Sequence, residues 1–277
     1  MAATQIASGA GLRHVRAWLI DTSGYPSGDQ SGSNGYDGIR LEGVKSFQAA
    51  LPDTQTIRHT GDDRVFAQDQ LPPTEMETAT ITTGKTNQTV DAVLQGTSIE
   101  TVGEVKMDAV FTDQAGFEPQ VCVYGWRQAL KTGAGDAAAG ARQYITYIYP
   151  SARITPKGGT MAEQSADENQ YSVVPTVVTK PPWGKAFTLG SNGFTEATKL
   201  RVISDNPLMI ERHTGDNSIA TFNLQFAPIS VAKTTCFVDG VEVTVNSVDV
   251  SGKTMTLAAA PGTDAVVVTL YETTDLS

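Results

Sequence analysis

In this chain one stretch, residues 87–96, places apolar side chains at helical spacing; other apolar residues alternate with polar neighbours or fall in short β-branched runs. Val90, Val93 and Leu94 share one face there, Thr86 or Asn87 can cap the start, and Gly96 can terminate it. A chain of 277 residues with room for one short helix must build its core from sheets. Its 35 Thr, against 20 Lys plus Arg, favour the same outcome, because β-branched side chains suit a pleated surface. The sequence predicts an all-β protein with one short helix.

Strand candidates in the first part are residues 15–20, 39–47, 77–83, 99–112, 120–131, 143–154 and 172–178. Between them lie a Gly/Ser-rich loop at 23–38, a Gly/Ala turn at 131–142, a turn-rich tract at 155–170 and a break at PPWG, 181–184. Residues 50–76 carry Pro52, Pro72 and Pro73 and the charged run HTGDDR at 59–64. Proline cannot donate to a sheet ladder, so this segment is expected to be a long exposed loop.

Composition shifts towards the end. Residues 216–277 hold seven acids, two Lys, no Arg and no Trp, whereas all three Trp, at 18, 126 and 183, lie earlier. This predicts a first domain at 1–215 and a small β-sandwich at 216–277, with strands at 221–226, 234–238, 241–250, 253–258 and 265–273. Asp239-Gly240 and Ser251-Gly252 are tight-turn signals, and Val241, Val243 and Val245 alternate with Glu242, Thr244 and Asn246 as in a half-buried strand. RHTGD occurs at 58–62 and again at 212–216; two similar exposed turns explain it.

A net charge of −10 argues against tight, sequence-independent grip on nucleic acid, which depends on Lys and Arg displacing counterions. Cys122 and Cys236 read as reduced packing residues. No run approaches the length of a membrane helix, and Arg13, His14 and Arg16 interrupt the only apolar run of the first 20 residues, so neither membrane insertion nor a secretory leader is expected. His14, His59 and His213 stand singly, without zinc-site spacing. GAGDAAAG at 133–140 has a misplaced third Gly for a dinucleotide loop, and the adjacent acids Asp62-Asp63 and Asp167-Glu168 read as solvated loop residues. The expectation is a non-enzymatic protein with no catalytic residues, cofactor or metal.

Taken together, AWLIDTSGYPSG (17–28), GIRLEGVKSFQAALP (38–52) and RHTGDDRVFAQDQLPPTEMETATITTG (58–84) resemble the major tail tube proteins of long-tailed bacteriophages. The segment 221–273 resembles the immunoglobulin-like add-on domains that such structural proteins carry. The resemblance implies a tail-tube-like β-sandwich with one flanking helix, joined to five neighbours in a hexameric ring. Rings would stack into a tube that conducts DNA without binding it tightly. Self-association, a tape measure protein and a tail terminator are the implied partners. The implied location is the virion tail, after folding in the bacterial host cytoplasm. An N-terminal arm (1–12) and the loop 50–76 would join rings, which makes Arg13, Arg16, Asp53, Arg58, Asp62, Asp63 and Arg64 the candidate inter-ring contacts. An acidic channel lining is expected, since it would let the duplex pass. The add-on domain is expected to sit outside on a linker or a weak contact, so that removing 217–277 leaves assembly intact. The alternative is a phage decoration, fibre or baseplate protein that binds a host surface glycan or receptor.

Overall fold

The computed structural model describes residues 12–27, 39–41, 43–49, 55–61, 64–71, 78–84, 88–97, 99–108, 119–130, 142–159, 169–188, 193 and 195–274. The first part contains β1 (Leu12–Leu19), β2 (Ile39–Arg40), β3 (Val44–Ala49), β4 (Gln55–Gly61), β5 (Arg64–Leu71), β6 (Ala79–Thr83), α1 (Gln88–Gln95), β7 (Ile99–Val102) and β8 (Val105–Asp108). It continues through β9 (Val121–Leu130), β10 (Arg142–Gly159), β11 (Asn169–Pro175) and β12 (Leu200–Ser204). The all-β expectation with one helix holds.

Eight strands form one antiparallel sheet in the order β2-β1-β9-β10-β11-β6-β3, with β12 also paired to β10. The sheet folds over on itself because β10 serves both halves. Its first part pairs with β9 and β12, and its second part pairs with β11. A register shift between Tyr149 and Ala152 bends the strand and reverses side-chain parity, so Tyr149, Ala152 and Ile154 all point to the same core. That core joins Val15, Ala17, Val121 and Val123 of one layer to Ile81, Tyr171 and Val173 of the other. Helix α1 closes it with Leu94, and Tyr171 donates to Asp91 Oδ1 at 2.5 Å.

The expected loop at 50–76 is corrected. Residues 55–71 form the β4–β5 hairpin, because Pro52, Pro72 and Pro73 bracket the run instead of interrupting it. The turn-rich tract expected at 155–170 also gives way, since β10 continues to Gly159 and tolerates Pro156 at a register shift.

The second part contains β13 (Leu208–Thr214), β14 (Thr221–Asn223), β15 (Thr234–Val238), β16 (Val241–Val243), β17 (Val245–Asp249), β18 (Thr254–Leu257) and β19 (Val266–Glu272). Two antiparallel sheets, β13-β19-β15-β16 and β14-β18-β17, enclose Met209, Phe222, Cys236, Met255, Val267 and Tyr271. The expected strand 241–250 divides at Thr244 and contributes to both sheets. The boundary also moves: β13 pairs along its length with β19, so the second unit begins at Leu208 and not at Asp216.

The two units share a hydrophobic seam. Trp18, Cys122, Tyr124, Trp126 and Ile148, on the outer face of the first sheet, cluster with Leu208, Ile210 and Val268 of the second unit. The expected weak tether is therefore corrected to a buried, aromatic-rich interface, formed because β13 and β19 turn apolar side chains, Leu208 and Ile210 with Val266, Val268 and Leu270, away from their own sandwich core.

Candidate functional site

The seam is a designed match of two strand faces. On the first sheet Arg16 stands opposite Tyr124, Tyr124 opposite Ile148 and Ile148 opposite Leu200, while Trp126 stands opposite Thr146. Trp18 and Tyr124 lie 5.0 Å apart between ring centroids, and Trp126 meets Tyr144 edge-on at 5.4 Å. All three tryptophans face the second unit, since Trp183 stacks on Phe237 at 6.1 Å.

A buried polar cluster sits beside the seam. Glu211, 2% exposed, accepts a short hydrogen bond from the Tyr271 hydroxyl and two contacts from the Gln225 backbone N–H, at 3.1 and 3.2 Å. The Tyr271 oxygen accepts in turn from the Phe226 N–H at 3.2 Å. Burial raises the Tyr271 phenol far above its ordinary value, and the Glu211 charge adds to the rise. Tyr124 is raised by burial as well, with Arg16 lowering it and Glu211 raising it, and its hydroxyl reaches Met209 Sδ at 3.8 Å. These phenols are permanent donors at any ordinary pH.

A second contact clasps the far end of the interface. The β15–β16 turn places Gly240 at φ 78° against the PPWG loop, where a Cβ on Gly240 would lie 2.7 Å from the Gly184 carbonyl oxygen. Gly184, at φ 80°, is itself packed on the Tyr25 ring. Lys185 bridges to Glu242 at 3.0 Å and lies over the Phe237 ring. Gly240→Ala is expected to cost about 2 kcal/mol or more, from the left-handed backbone plus the carbonyl clash. A urea titration checks it; a loss below about 0.5 kcal/mol would show that the clasp is slack.

The opposite face of the folded-over sheet is different in chemistry. Thr155, Ser172, Thr80 and Gln48 form one row across β10, β11, β6 and β3, and Gln170, Thr82 and Ser46 form the next. Arg153 and Lys157 stand exposed on β10 beside them, and among the described strand residues of this face there is no acid.

Of the sequence-predicted contacts, Arg58 and Arg64 lie on the β4–β5 hairpin, which among the described residues pairs with no other strand. Arg13 falls at the irregularity of β1 between Leu12 and His14. Asp53, Asp62 and Asp63 lie outside the described residues. Arg16 is 3% exposed, with its guanidinium carbon 5.4 Å from the Phe226 ring centre, so its side chain serves the junction between units. Among the described residues no three His, Cys, Asp or Glu side chains gather as metal ligands, and no helix is long and apolar enough to cross a membrane. No protein-family model and no curated protein sequence matches the chain.

Proposed function

We propose that the chain is a virion structural protein, the major tail tube subunit of a long-tailed bacteriophage, assembling into stacked hexameric rings around a DNA channel. The observation that supports this reading is the contrast between the two faces of the first unit. One face is aromatic and covered by the second sandwich, while the other is an open face rich in Thr, Ser and Gln. In a tube, the covered side would look outward and the polar side would line the channel. The β4–β5 hairpin, carrying Arg58 and Arg64, is then the arm that reaches an adjacent ring. On this reading the described part of the lining is mainly polar and carries cations, Arg153 and Lys157 among them, in place of the acidic lining expected from net charge. Neutral hydroxyls and amides hydrogen-bond water freely and add little phosphate affinity, so passage of the duplex is still accounted for.

Negative-stain electron microscopy of the purified chain is the test. Rings or tubes of uniform bore are expected. Discrete monomers or trimers at every concentration would overturn the reading.

A further inference from the structure

Strand β13 acts on both sides at once. Leu208 and Ile210 point outward into the seam, while Met209, Glu211 and His213 belong to the interior of the second sandwich. It is an edge strand, paired only with β19 in its sheet. His213 is buried at 7% exposure, and its Nε2 has no hydrogen-bond partner. Glu211 Oε2 lies 3.8 Å from that atom, within ion-pair distance but beyond hydrogen-bond reach, and Glu211 is already engaged by Tyr271 and Gln225. Arg212 precedes it on the same strand. Across the ladder it meets Val267 of β19, and its ring packs on Phe222 of β14 at 5.3 Å. Arg16 and Tyr124, from the first unit, approach the Glu211 side of this group.

An imidazolium held here would be shut away from water with no hydrogen-bonded acceptor, the Glu211 carboxylate 3.8 Å away being committed to Tyr271 and Gln225, and it would be repelled by the Arg212 charge from the other face of the strand. Opening β13 relieves both conditions, because the ring then reaches water.

We propose that β13 is an acid-sensitive latch: uptake of one proton by His213 is coupled to release of β13 from β19 and thereby to separation of the two units. The coupling is structural. The strand that shelters His213 on one side supplies Leu208 and Ile210 to the seam on the other, so it cannot leave without breaking the interface. Burial, followed by the Arg212 charge, lowers the imidazole from 6.5 to about 4. A base whose closed-state pKa lies below its open-state value takes up a proton on opening. The latch is therefore firm above about pH 6.5 and loosens as pH falls towards 4, and this ring contributes no further loosening below that. Between pH 7 and pH 5 the opening equilibrium rises roughly 20-fold. The inference is independent of the tube reading.

Hydrogen exchange of the full chain, followed on peptides covering 208–214 and corrected for intrinsic rates, reads the opening directly. A rise of roughly 20-fold from pH 7 to pH 5 is expected in the parent chain, and less than about threefold in His213→Leu. An equal rise in both chains, or no rise in the parent, overturns the latch. Should His213→Leu fail to fold, imidazole titration by NMR in the parent chain decides the matter, since only His14 and His59 share the spectrum. A His213 ring that titrates near 6.5 while β13 stays protected overturns the proposal. A ring that stays neutral in the folded form, with the open form growing in as pH falls, supports it.

Discussion

Deleting residues 217–277 is expected to produce an aggregating chain, not a trimmed and soluble subunit. The cut leaves β13 in place but removes β19, its ladder partner, together with Val266, Val268 and Leu270 at the seam. Trp18, Tyr124 and Trp126, each fully or almost fully buried, would then face solvent on one sheet surface. Each such side chain covers about 150–250 Å², so at about 25 cal/mol per Å² the three together amount to on the order of 10 kcal/mol. Even discounted for residual burial in the unfolded chain, that is comparable to the entire net stability of a typical domain, about 5–15 kcal/mol. Solubility, size-exclusion chromatography and tryptophan emission measure the outcome. A soluble, folded fragment with unshifted emission would mean that the seam is dispensable, and that the second unit is the detachable decoration the sequence suggested.

The elements most legible in the sequence were those with local causes. The helix at Gln88–Gln95 lies inside the residues chosen by the spacing of Val90, Val93 and Leu94. Asp239-Gly240 makes the hairpin its dipeptide implies, whereas the RHTGD copies, expected as exposed turns, run mostly inside β4 and β13, and the second buries His213. The domain relationship was less legible because it depends on faces, not on periods. Residues 265–271, AVVVTLY, form an almost unbroken apolar run, which is how a strand buried on both faces reads, and LMI at 208–210 carries the same signal. The concentration of Trp before residue 216 looked like a contrast between domains, but each Trp faces the partner unit. Alternation at 241–245 was over-read. Burial rises along the strand, from Val241 at 65% exposed to Val245 at 8%, because the chain crosses between sheets there. For the candidate inter-ring residues, a count of charges could not separate Arg16, whose side chain is enclosed, from Arg58 and Arg64 on a separate hairpin.

Glu211→Ala is expected to be among the most damaging single substitutions in the second unit. The carboxylate is the shared acceptor of the Tyr271 hydroxyl and the Gln225 N–H, and its removal leaves both donors without it in a region closed to water. Removing one member of a buried charged network costs about 3–5 kcal/mol, which in a protein of this size lowers the melting temperature by roughly 10 °C. Glu211→Gln keeps an acceptor oxygen for Tyr271 and should lose less. Tyr271→Phe removes one donor while leaving the Gln225 contact, and about 1–3 kcal/mol is expected. The double substitution should cost less than the sum, because the first change already removes the bond the second would break. Thermal and urea denaturation of the four chains supply these values. Glu211→Ala within about 1 kcal/mol of the parent would mean that the carboxylate is uncharged or hydrated in the folded chain, and that the junction is held by its aromatic packing alone.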